Sequence, residues 1–175
     1  RAIKSACRLP VIAIYKVHTD YAGLFITPTF ETARLLAVAG ADAIALDGTS
    51  RPRPGGEMLP EIIRRIHDEL QLPVMADCST VEEGVMAAGA GADAVATTLA
   101  GYTPYTKKTD GPDWAALEGM IREAGTPVVG EGRFYYPPQA ARALEMGAWA
   151  IVVGGAITRP HEITRRFVDE MGKKQ

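Results

Sequence analysis

AVAGADAIALD (residues 37–47) returns as AGAGADAVATT (88–98), and EMGAWAIVVG (145–154) follows the same plan. Each stretch reads as a helix end, a Gly-Ala turn and a continuous apolar run. Alanine is frequent there because the helix must lie close against the strand that follows it. Apolar runs without alternation suit strands buried on both faces of a parallel sheet. Working outward gives six such runs, at 11–15, 43–46, 74–76, 94–96, 128–129 and 150–153. Helical patterns fill the spaces between them, at 29–39, 57–70, 80–89, 113–124, 137–146 and 160–171. Thr80 three residues before Glu83 makes a capping box. Gly40, Gly91, Gly125 and Gly147 stand where helices should stop, and glycine there accepts the left-handed conformation.

The repetition means one βα architecture, and no linker or composition shift divides it. We therefore read residues 1–175 as a single domain. Six strands in 175 residues give about 29 residues per βα unit. A (β/α)8 TIM barrel needs eight units, so about 58 residues, or two units, would be lacking. The chain also opens at Arg1 inside a helical pattern. The expectation is a TIM barrel lacking its first two βα units, with an open doubly wound sheet as the competing architecture.

Composition narrows the function. The chain is 47% hydrophobic and 23% charged, with a formal net charge of −2. Apolar residues are too many and too periodic for disorder. The charge balance gives no reason to expect nucleic acid or an anionic membrane as partner. No run approaches the roughly 18 apolar residues of a membrane span. Cys7 and Cys78 are distant and form no CxxC, which fits a reducing cytoplasm. His18, His67 and His161 show no ligand spacing, and no motif for a metal or nucleotide cofactor is present.

In βα folds, ligands bind at the carboxyl ends of the strands. The residues found there are Lys16, Asp47, Asp77, Thr97 with Thr98, Glu131 with Arg133, and Gly154 with Gly155. Lys16 follows VIAIY directly. Partial desolvation at a barrel rim would favour a neutral amine, able to move a proton or form a Schiff base. A rim lysine reaching for solvent is the alternative. Glu131 lies between two glycines, open to a ligand, or else it pairs with Arg133. Asp77 can orient Lys16 or bind a hydroxyl, or serve the helix that starts near Thr80. Thr98 and Arg133 are candidate sugar contacts. IVVGGAITRP (151–160) runs from a strand into Gly154-Gly155 and then toward a helix. That backbone can approach a phosphate closely, and Arg159 can add a charged fork. TSRPRPGGE (49–57) reads as a rigid basic loop, solvated or available for subunit contact and steering. The long 99–113 loop reads either as a lid, with Tyr102 and Tyr105 covering a sugar, or as a mobile surface loop.

VIAIYK (11–16), FITPTFE (25–31), ADAIALDGTSRPRP (41–54), MADCST (75–80), TTLAGYT (97–103), VVGEGR (128–133) and VVGGAITRPHEIT (152–164) occur in order along the chain. Together they resemble the N-acetylmannosamine-6-phosphate 2-epimerase family. The resemblance implies a (β/α)8 barrel that interconverts N-acetylmannosamine 6-phosphate and N-acetylglucosamine 6-phosphate in bacterial sialic acid use, without a cofactor. It places the proton-transfer pair on Lys16 and Glu131, a strand-end acid on Asp77, and the phosphate loop on Gly154, Gly155 and Arg159. The family carries two further βα units ahead of VIAIYK. A phosphorylated amino sugar is then the expected partner, with a homo-oligomer as a possible assembly. A Schiff-base aldolase, with Lys16 covalent, and a non-catalytic sugar-phosphate-binding barrel fragment are the competing functions.

Overall fold

The structure, a computed structural model, describes residues 2–17 and 23–172. Arg1 and His18 lie outside them. Six strands form one sheet: β1 (Ile12–Ala13), β2 (Ala43–Asp47), β3 (Val74–Asp77), β4 (Ala94–Ala96), β5 (Val128–Glu131) and β6 (Ala150–Val152). All neighbours are parallel, and the order across the sheet is β1-β2-β3-β4-β5-β6. A doubly wound sheet reverses its direction of travel at a switch point. Here every crossover steps the same way, so that alternative fails. The helices are α1 (Ala2–Ala6), α2 (Phe30–Val38), α3 (Leu59–Arg65), α4 (Val81–Gly89), α5 (Trp114–Glu123), α6 (Pro137–Glu145), α7 (Gly155–Thr158) and α8 (Pro160–Gly172).

Local chemistry explains the boundaries. Thr80 accepts from the Glu83 amide while the Glu83 carboxylate returns to the Thr80 amide, closing the expected capping box. Gly40 and Gly91, which follow the repeated helix ends, adopt φ of 93° and 100°. Side chains rarely tolerate such values. The α3 helix continues as a π-turn over Ile66–Leu70 and stops at Gln71.

One expected strand is shorter than its apolar run. β1 keeps only Ile12 and Ala13, and the chain then leaves the parallel ladder. Val17 donates to the Phe25 carbonyl at 3.0 Å and Thr27 to the Tyr15 carbonyl at 2.8 Å, with Lys16 opposite Ile26 in an antiparallel bridge. Lys16 therefore sits on a two-stranded ribbon and not at a strand terminus. The apolar pattern cannot distinguish these, since both are extended backbone.

Two apolar layers flank the sheet. Ile44, Leu46, Val74, Ala76, Val95 and Val128 face the helices in the larger cluster. Ala45, Met75, Ala96 and Val129 form a smaller one on the other face, with Ala94, Ala150 and Val152 against it. Side chains alternate along a strand. Asp47 thus shares the face of Ala45, Asp77 that of Met75, and Glu131 that of Val129. The same parity that fills the inner face with small residues delivers three carboxylates to its carboxyl end. At the sheet margins Ile12 and Trp149 are exposed, and among the described residues no further strand pairs with β1 or β6. Trp149 is exposed where it precedes the marginal strand β6, whereas Trp114 meets Phe134 edge-on at 6.1 Å.

Candidate active site at the carboxyl ends of the strands

Asp47 and Asp77 are register partners on β2 and β3. Both are buried, at 0% and 2% exposure. Their environments differ. Asp47 accepts from the Thr49 amide at 3.0 Å and hydroxyl at 2.5 Å, and pairs with Arg51 at 2.7 Å. Among the described residues Asp77 has no such cation, and it accepts from the Thr98 hydroxyl at 2.7 Å. Burial pushes the Asp77 carboxyl well up, the Glu131 and Asp47 charges add to this, and only Thr98 opposes. Glu131 is half-buried, and burial raises it too, against Thr98 and the Lys16 ammonium. Lys16, Asp77, Thr98 and Glu131 therefore share one electrostatic neighbourhood. Thr97 ties β4 to β5 behind them, donating to the Glu131 carbonyl at 2.8 Å and accepting from its amide at 3.0 Å.

Close backbone approach at the β2 end requires glycine. A Cβ on Gly48 would stand 2.7 Å from the Cys78 sulfur and 3.1 Å from the Asp77 carbonyl. Cys78 is fully buried, and burial with the Asp77 charge pushes its thiol up, so it is a filler and not a nucleophile. Cys7 is partly buried and unpaired.

Several expected residues take unexpected positions. Lys16 is exposed, so the desolvation anticipated at a barrel rim is not present. Its ribbon stands beside a marginal strand, and the Lys16 side of the ribbon is open to solvent. Glu131 does not pair with Arg133. The Arg133 guanidinium turns into the 99–113 loop, where Nε donates to the Gly111 carbonyl at 2.9 Å and to Thr109 at 3.2 Å. It lies 5.2 Å from the Tyr102 ring centre, and its Nη1 is buried with no partner among the described residues. That loop is anchored, not loose. Tyr105 donates to Glu83 at 2.6 Å.

Glu83 was legible only as a cap, yet it also joins three strand-end loops. It accepts from the Ser50 amide at 3.2 Å, the Ser79 hydroxyl at 2.6 Å and Tyr105. Nor is the 49–57 loop a solvated basic tongue. Arg51 is 9% exposed and folded onto Asp47, while Arg53 donates to the Thr49 and Arg51 carbonyls, and to that of Asp47. Breaking a buried pair such as Asp47–Arg51 by removing one partner typically costs about 3–5 kcal/mol.

At the β6 end, Gly154 adopts φ −98° and ψ −105°, and a Cβ there would enter open space. Arg159 lies just past α7, exposed, and pairs with Glu162 at 2.7 Å. An incoming anion must compete with that carboxylate. Among the described residues no three His, Cys, Asp or Glu side chains gather as metal ligands would, and no helix is long and apolar enough to cross a membrane.

The sequence profile of the family described as "Putative N-acetylmannosamine-6-phosphate epimerase" (NanE) matches residues 1–173. The chain belongs to the NanE family. Its NanE relatives include the protein of Cutibacterium acnes named "Putative N-acetylmannosamine-6-phosphate 2-epimerase", 46% identical over 172 residues, covering 97% of this chain and 74% of that one. A relative of the same name from Caldanaerobacter subterraneus is 46% identical over 168 residues, 95% of this chain and 71% of the relative. Among solved structures, the N-acetylmannosamine-6-phosphate 2-epimerase from Clostridium perfringens superposes with a TM-score of 0.91 at 43% identity, over 95% of this chain and 72% of that one. NanE membership and the parallel sheet agree with the reading from sequence.

Proposed function

We propose that the protein is an isomerase that interconverts N-acetylmannosamine 6-phosphate and N-acetylglucosamine 6-phosphate by proton exchange at C2. Membership of the NanE family supports the reaction. The observation that supports the mechanism is that Asp77, Thr98 and Glu131 lie at the carboxyl end of one sheet face, within electrostatic reach of Lys16 on its ribbon. In the open-chain sugar, the C1 carbonyl acidifies the C2 proton. A base takes that proton, the electron pair moves onto the carbonyl oxygen, and a proton returns to C2 on the opposite face. Two groups suited to this work are a lysine at an open position and a carboxyl whose pKa burial raises above its ordinary value. Lys16 and Glu131 have these characters.

In this reading Asp77 meets a substrate hydroxyl or the C1 oxygen, with Thr98 orienting it. Arg133 acts through the 99–113 loop, which its Nε holds at Gly111 and Thr109. Gly154, Gly155 and Arg159 take the phosphate, whose binding holds the reacting carbon in place. The six sequential strands form an arc of a (β/α)8 barrel. The setting is amino-sugar and sialic acid breakdown in the cytoplasm, with no cofactor. The test is direct: NMR should show purified protein converting N-acetylmannosamine 6-phosphate to its C2 epimer, and an unchanged spectrum would refute the assignment.

A further inference from the structure

Lys16 makes no side-chain hydrogen bond or ion pair among the described residues, so its position is set by the backbone that carries it. That backbone is poorly supported from its own side. β1 is two residues long, and Ile12, Ile14 and Tyr15 beside it are each at least 40% exposed. Support comes from the second strand of the ribbon, where Leu24, Ile26 and Thr27 are buried, and from the loop after β2. Asp47 is fixed at the end of its strand by two bonds from Thr49. It holds the Arg51 Nη2 at 2.7 Å, and the Thr49 hydroxyl accepts from Arg51 Nε at 2.9 Å. Two anchors in one plane leave the guanidinium a single orientation.

From that plane Arg51 reaches the ribbon twice. Its Nη1 donates to the Gly23 carbonyl, and its guanidinium carbon lies 5.4 Å from the Phe25 ring centre. Gly23 sits at φ 76°, and a Cβ there would stand 3.5 Å from Nη1. Phe25 is 47% exposed, so the guanidinium is a substantial part of what holds its ring. The Phe25 carbonyl accepts from Val17, and Ile26 faces Lys16 across the bridge. Pro52 restricts Arg51 to extended backbone, and Arg53 ties the loop from beneath through three carbonyls. The RPRP stretch thus builds a rigid strut under the lysine.

We propose that Arg51 is a positioning residue for Lys16, fixing through Gly23 and Phe25 the ribbon that presents the lysine to substrate. This rests on the reading of Lys16 as a proton-transfer group. Arg51 itself need not touch substrate. A lysine at position 51 would keep a charge for Asp47 but lose the fork and the flat face. A small misplacement of a reacting group costs on the order of 100-fold in rate.

The experiment measures kcat and KM for C2 epimerisation in Arg51→Lys, Phe25→Ala and Lys16→Ala proteins, with thermal melting alongside. Arg51→Lys should lower kcat roughly 10- to 100-fold with KM within about threefold, and Phe25→Ala should lower kcat about threefold to tenfold. Phe25 is half exposed, so its variant should melt as the parent does and carries the test even where Arg51→Lys fails to fold. A purely structural role would shift melting and leave kcat of the folded protein intact. Inactive Lys16→Ala with parental kcat in Phe25→Ala, and in Arg51→Lys where it folds, overturns the strut while sparing the reading it rests on. Active Lys16→Ala removes that reading, and the strut with it.

Discussion

The Thr98 hydroxyl donates to Asp77 at 2.7 Å across the ends of β4 and β3. The same hydroxyl also favours the charged form of Glu131. A hydroxyl has one proton to donate, so it serves one carboxylate at a time. Asp77, buried beside Asp47 and Glu131 with no cation partner among the described residues, is pushed well toward its protonated form. Asp47 differs in geometry, since Arg51 pairs with it at 2.7 Å.

This arrangement sets a pH dependence. The folded-state pKa of Asp77 lies above the unfolded value, so the folded protein binds the extra proton. Its contribution is therefore favourable below the ordinary carboxylate range and is lost as pH rises toward the raised value. Asp77→Asn should remove that loss. Denaturant melts should find the variant at least as stable as the parent at neutral pH, with epimerisation strongly reduced. A variant destabilised more at pH 8 than at pH 5 would contradict the assignment.

Glu83 carries the opposite sign. Burial pushes it up, but hydrogen bonds from Ser79, Tyr105 and backbone amides outweigh this and hold it below its ordinary value. Its stabilisation is present above the unfolded pKa and is lost on acidification through the lowered one. Glu83→Ala leaves the Ser79 donors, the Ser50 and Thr80 amides and the Tyr105 hydroxyl unmatched, at a cost of about 1–3 kcal/mol in a denaturant titration at pH 7. The deficit should shrink as the pH is lowered through the carboxylate range.

The anion site gives a paired prediction. Arg159→Ala should weaken binding of the 6-phosphate sugar roughly 10- to 100-fold by calorimetry. Glu162→Gln should strengthen it, because Glu162 holds Arg159 at 2.7 Å. Equal turnover of phosphorylated and unphosphorylated sugar would exclude the β6 end as the phosphate site.

Much of this was legible from the residues alone. The order of strands and helices follows from apolar runs set off by Gly40, Gly91, Gly125 and Gly147, and the Thr80–Glu83 cap follows from spacing. The clustering of Asp77 and Glu131 follows from strand parity once the strand ends are placed. What sequence could not give is where long side chains go. Arg51, Arg53 and Arg133 all look like solvated charge in a polar loop, yet each folds back onto carbonyls or carboxylates because strand-end loops crowd together there. The ribbon at Lys16 was hidden for a related reason: VIAIY fits a parallel strand and an antiparallel arm equally well, and only the partner at Phe25–Thr27 decides. One cue was available. Prolines on both sides of Arg53 stiffen the loop, and a stiff loop is a poor candidate for free solvation.

Lys16→Ala and Glu131→Ala should each lower turnover by about 10²–10⁴-fold while thermal melting changes little, because neither side chain is in the apolar core. Near-normal turnover in Glu131→Ala would leave Lys16 to act with another acid.

The central claim is that the protein exchanges the C2 proton of the sugar with its own groups and thereby with water. Epimerisation run in D2O and followed by NMR tests it most directly. The account predicts one deuterium at C2 of the product, exchange into recovered substrate, and no borohydride-trapped adduct on Lys16. Product that retains its original hydrogen at C2, or a covalent adduct at Lys16, would contradict it.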